Sequence, residues 1–185
     1  MMVILKGNKE PALLIFKGAF AFFLGGILSG LLYLYVGSLV VVIFGSALAA
    51  LILWLLIKPS VSLTKLVIAI PLGDFVSFFI SAVVGLLIYD AYGVPNIIGG
   101  IVMGLIVGAV IGGVKGAVIF AIVGAVVFVI GDAAVESFNI WDGAYYRALG
   151  EDAGMVGIVA LKSLYKGIAV GLGLGIYRKT SNSGS

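Results

Sequence analysis

Asp74, Lys162 and Lys166 stand inside long apolar runs, and Asp132 and Glu136 stand at the edge of another. Carboxylates and ammonium groups can hold an ion, hold a small charged solute or relay a proton. Each costs roughly 2.5 kcal/mol or more near the middle of a bilayer, so such positions are functional candidates by default. Asp74 lies in Ile70-Pro71-Leu72-Gly73-Asp74, about eight residues or ~12 Å into its run. Lys166 lies about eleven residues or ~16 Å from the end of its own run. Similar depths predict that Asp74 and Lys166 face each other. Pro71 removes a backbone donor, and with Gly73 it predicts a kinked or broken helix, a common setting for a midplane ion site. The alternative role is a buried salt bridge that only fixes helix register.

Lys162 and Lys166 are four apart and share a helix face. Two ammonium groups there repel, so either one is neutral or both have acidic partners. Asp132 and Glu136, also four apart, are the expected partners, with Asp132 assigned to Lys162 in a separate outer polar site. Lys162 could instead snorkel to the outer interface, as Lys17 is expected to reach back to the inner one.

The elements that must position these residues follow from composition. Of 185 residues, 63% are hydrophobic and 10% charged, against about 45–50% and about 25% in soluble domains. A soluble domain of this length cannot hide that excess. The fold class is therefore all-α, a polytopic transmembrane bundle. Helices of about 20 apolar residues cross the bilayer, which places spans at 11–35, 38–57, 66–89, 97–111, 117–131 and 153–177. Together they form a single membrane domain over 1–179, with a loose polar tail at 180–185.

The stretch 97–131 reads either as one helix or as two joined near Gly112-Gly113-Val114-Lys115-Gly116. Basic loops stay on the cytoplasmic side. Six spans put Lys6, Lys9, Lys58, Lys65, Lys115, Arg178 and Lys179 on that side and only Arg147 opposite. Five spans bury Lys115 in the bilayer and sort the charges less well. Six spans with both termini cytoplasmic is the expectation.

Gly100, Gly104, Gly108, Gly112 and Gly116 recur every fourth residue, as do Gly167, Gly171 and Gly175. Small residues let helix backbones approach where lipid gives no hydrophobic drive, so these are packing faces within the bundle or toward a homo-oligomer or another membrane subunit. An unbroken glycine face through Gly112 argues against a turn there, while Lys115 argues for one.

There is no Cys and no His, which excludes disulfides, thiol chemistry, Ser-His-Asp triads and the usual zinc sites. No cofactor, metal site or enzyme activity is implied. The net charge of +3 fits basic cytoplasmic loops and needs no nucleic acid. Between Asp132 and Asp152, Phe138, Trp141, Tyr145, Tyr146 and Arg147 suit a membrane interface or a lid over an outward pocket.

Leu72-Gly73-Asp74-Phe75 resembles the catalytic motif of presenilin-type intramembrane aspartyl proteases, and Tyr89-Asp90 and Pro11-Ala12-Leu13 are similar to that family's other motifs. Their order along the chain is wrong and Pro71 replaces the first motif glycine. Asp90 falls more than ~15 Å from Asp74 along the helix, too far to share a proton as an aspartyl dyad must. The overall layout resembles the substrate-binding S components of energy-coupling-factor vitamin transporters, which have six spans and a ligand site near the outer face. The expected role is a small transport protein of the cell membrane that binds or moves a small solute or ion. The alternative is a partner subunit or assembly factor that does not itself transport.

Overall fold

The computed structural model describes residues 9–36, 40–57, 62–88, 93–137 and 150–182. All the elements it describes are helices: α1 (Lys9–Val36), α2 (Val40–Ile57), α3 (Leu63–Leu87), α4 (Val94–Ser137) and α5 (Glu151–Asn182). Four of them, α1, α3, α4 and α5, are long and apolar enough to cross a membrane, and α2 is a shorter apolar helix. Their outward faces carry Phe16, Phe79, Leu86 and Ile130, each more than half exposed. A water-facing surface would not present such a continuous apolar coat. The chain is a multi-pass membrane protein.

Helix α4 is broken within its length. Gly112 has φ −141° and ψ 20°, and Gly113 has φ +60° and ψ −147°. The second pair lies in a region that side chains with a Cβ rarely enter. The two arms, 94–111 and 114–137, fold back on each other. A methyl on Gly100 would meet the Gly124 carbonyl, one on Gly104 that of Phe120, and one on Gly108 that of Gly116. These pairs are symmetric about residue 112, as an antiparallel hairpin requires. The glycine series and the turn are therefore compatible: Gly108 and Gly116, on either side of the break, face each other.

Other sequence expectations change in detail. Helix α3 runs unbroken through the buried Pro71, so the expected break there is absent. A proline inside a membrane helix removes one backbone bond, and neighbouring helices can absorb that locally. Ser62 caps α3, its hydroxyl accepting from the Lys65 amide at 3.3 Å, one of the donors left open at a helix start. Helix α5 continues to Asn182, so Thr180, Ser181 and Asn182 are helical, contrary to the loose tail expected from Thr180. The Thr180 hydroxyl donates to the Tyr177 carbonyl at 3.1 Å, one turn back along its own helix.

The helices close into a ring: α1 packs on α2, α2 on α3, α3 on α4, α4 on α5, and α5 on α1. Gly18 against Gly167, Gly26 against Ser163, and Leu14 against Gly171 set α1 antiparallel to α5. Polar ties define two ends. At the first, Lys115 Nζ donates to the Thr180 carbonyl at 2.7 Å, Lys17 Nζ to the Leu56 carbonyl at 2.8 Å, and Arg178 approaches Glu10 at 3.5 Å. At the second, Ser29 Oγ donates to the Val41 carbonyl at 3.1 Å, Ser81 Oγ to the Pro95 carbonyl at 2.8 Å, and Asn96 Nδ2 to Asp132 at 2.6 Å. The first-end half of the interior is filled by Leu14, Leu53, Leu66, Ile70, Val170 and Leu174, all buried.

Candidate functional site: a charged chamber at mid-depth

Asp74 stands twelfth of the 25 residues of α3, and Lys166 sixteenth of the 32 of α5. Both therefore lie at the mid-length of their helices. The packing of Gly73 on Met103 and Val107 turns that face of α3 toward α4, and Asp74, the next residue, turns toward α2 and α5. The Gly18–Gly167 contact holds α5 against α1 and brings Lys166 in beside it. Lys166 Nζ donates to one Asp74 oxygen, and Ser46 Oγ of α2 donates to the other. The side chains are 19% and 6% exposed for Lys166 and Asp74, so a buried carboxylate meets a partly buried ammonium, unlike a surface ion pair of small worth. The expected juxtaposition of Asp74 and Lys166 is present in the structure.

A cavity of about 230 Å³ opens over this pair. Its walls come from four helices: Phe22, Gly26 and Ser29 of α1, Gly45, Ser46 and Ala49 of α2, Asp74 and Phe78 of α3, and Val159, Lys162, Ser163 and Lys166 of α5. From the level of Asp74, each helix contributes residues that step toward the second end. The chamber therefore occupies one half of the bundle, with Asp74 and Lys166 as its floor and the packed aliphatic core beneath them. Gly45 leaves room for Ser29, whose hydroxyl occupies the space a methyl would need. Gly26 does the same for Ser163, at 2.7 Å.

Lys162 lines this same chamber. It was expected in a separate outer site with Asp132 and Glu136. Four-residue spacing on α5 puts Lys162 one turn above Lys166 on the same face, so the chamber takes both lysines. Asp132 lies within electrostatic reach of Lys162, and its carboxylate accepts from Asn96 across the mouth of the α4 hairpin. Helix α4 does continue through Ala133, Ala134 and Val135 to Glu136, but the Glu136 side chain lies outside the described residues. The aromatic segment with Phe138, Trp141, Tyr145, Tyr146 and Arg147 also lies outside them, as do Asp90 and the basic residues Lys6 and Lys58.

The glycines named as packing positions act within the chain. Gly100, Gly104 and Gly108 face the second arm of α4, and Gly167, Gly171 and Gly175 face α1. Gly112 sits at the break, beneath the Tyr177 ring. Lys17 reaches a carbonyl in the last turn of α2, where a cation suits the negative helix end.

Neither a protein-family model, nor a curated protein, nor a solved structure matches this chain. Its chemistry is therefore read from the chamber itself. Sequence reasoning missed Ser46, Ser163 and Asn96. Their only signal was polarity within or beside apolar helices, which is weak because a lone serine can bond its own helix's carbonyls. Among the described residues no group of three acidic, His or Cys side chains could hold a metal. The chamber can hold a small polar molecule against ammonium groups and hydroxyls, with a carboxylate bridging two of its walls.

Proposed function

We propose that this chain is a small transport protein of the cell membrane, binding or moving a small solute or ion through the chamber above Asp74 and Lys166. The observation that carries this reading is a charged cavity at mid-depth whose floor is an ion pair between two different helices. An ion pair alone could serve to fix helix register; a cavity standing over it, with a second ammonium group in its wall at the cost each interior charge carries, favours a binding role.

The chain crosses six times, counting α2 and both arms of α4, with the end that carries Lys17, Lys65, Lys115, Arg178 and Lys179 at the cytoplasmic face. Five basic residues at one end support that orientation. The chamber then faces outward. Asp74 and Lys166 form the floor that must part for a solute to pass, and no catalytic role is assigned to any residue. The glycine faces named above are occupied inside the chain, which weakens a role as a docking subunit for other helices. A chamber extending toward one end only does favour one variant of that role, a substrate-binding subunit that captures outside and relies on a partner for passage.

Uptake of solutes into liposomes containing the purified protein tests this, with Asp74→Asn and Lys166→Met beside the unaltered chain. The transport reading expects uptake that both variants abolish while still eluting as folded protein. Unchanged uptake in both variants overturns the role of the pair. Binding without uptake selects the substrate-binding subunit.

A further inference from the structure

The chamber's walls are uneven in charge. They hold two ammonium groups, Lys162 and Lys166, and one carboxylate, Asp74. That carboxylate already receives Lys166 and the Ser46 hydroxyl. A cation approaching from the second end would meet Lys162 before it reached any wall carboxylate, since Lys162 lies one turn nearer that end than Lys166. An anion would meet an ammonium with three donors and then the Ser163 hydroxyl one residue along. Among the described residues, Asp132 and Lys166 are charged groups that act on Lys162. Asp132 stands outside the chamber wall, tied to Asn96.

The remaining wall is carbon: Phe22, Ala49, Phe78 and Val159. The volume is about 230 Å³. That is more than a bare halide fills and less than a drug-sized ligand requires. From charge, volume and lining together, we infer that the chamber takes a small organic carboxylate. Its carboxylate sits between Lys162, Ser163 and Lys166, and its carbon body lies against Phe22 and Phe78. This rests on the chamber being the binding site of the proposed transport protein and names its substrate class.

The test uses the purified full chain in nanodiscs of phosphatidylcholine, with benzoate and butyrate as probes and benzylamine as the cationic counterpart of benzoate. Thermal unfolding is followed as each is added. A bound ligand raises the midpoint in a saturable way. The expected result is a rise with benzoate or butyrate and none with benzylamine. Lys162→Met weakens acid binding at least tenfold, and Lys162→Arg restores part of it. Size-exclusion profiles confirm that both variants fold, and Ser163→Ala, a smaller change, lowers affinity in the same direction. Stabilisation by the amine alone overturns the inference. So does acid binding that Lys162→Met leaves intact, or no response to either acid at about 10 mM, ten times a weak millimolar dissociation constant. Labelled benzoate in proteoliposomes separates the two readings. Binding without accumulation keeps the anion site and removes transport, whereas Asp74-dependent uptake of a cation keeps transport and removes the anion site.

Discussion

The Asp74 carboxylate receives Lys166 of α5 at one oxygen and Ser46 of α2 at the other. One side chain thus joins three helices at mid-depth. A buried pair of this kind contributes modestly as a whole yet is expensive to break, because removing either member strands the other. Lys166→Met and Asp74→Leu are each expected to cost roughly 3–5 kcal/mol. The double variant should cost clearly less than the two together. Reversible unfolding in detergent, arranged as a double-mutant cycle, measures the coupling; additive losses would show that the two groups act independently.

The α4 reversal depends on Gly113, whose φ of +60° comes with open space where a Cβ would stand. Gly113→Val is therefore a backbone effect, expected to cost about 1–3 kcal/mol. Gly167→Val is the opposite case: ordinary helical backbone, but a methyl would collide with the Gly18 carbonyl. Overpacking of this kind typically costs about 1–3 kcal/mol, and it pries α5 from α1. Gly167→Val should accordingly disturb the chamber and its binding, whereas Gly113→Val should lower stability with the chamber intact. Ligand titration beside thermal unfolding distinguishes them.

Lys17 and Lys115 both donate to backbone carbonyls near helix ends, but only the Lys17 bond is partly buried. Lys17→Met should cost about 1.5–3 kcal/mol, the usual net worth of a hydrogen bond to a charged group. Lys115→Met, at an exposed site, should stay within about 0.5 kcal/mol. Equal losses in chemical denaturation would contradict the burial difference.

Because the chain has no cysteine, single-cysteine variants report sidedness without background. Lys65→Cys and Lys115→Cys are expected to react with a membrane-impermeant maleimide from one side of sealed vesicles, and Asp152→Cys from the other. All three positions are exposed. Labelling of Lys65→Cys and Lys115→Cys from opposite sides would mean that α4 does not double back across the membrane.

Depth was legible in the sequence. Hydropathy alone places residues along a helix axis, and that was enough to match Asp74 with Lys166 and to locate the two ends. Azimuth was not legible. These helices are apolar on every side, so no stripe marks the inward face as it would in a soluble helix. Only the neighbours decide it, through contacts such as Gly18 on Gly167 and Gly25 on Gly45. For that reason Lys162 could be given a depth but not a chamber, Ser46 carried no signal of its bond to Asp74, and Pro71 suggested a break that the packed α3 does not show. The glycine series specified close approach but not between which helices, since a repeat of four suits a straight face and a folded hairpin equally. Composition and charge determined a multi-pass helical protein with a few costly interior charges. The tertiary structure decided which charges meet, because that depends on the rotation of each helix about its own axis, a quantity set by its neighbours and absent from any single segment.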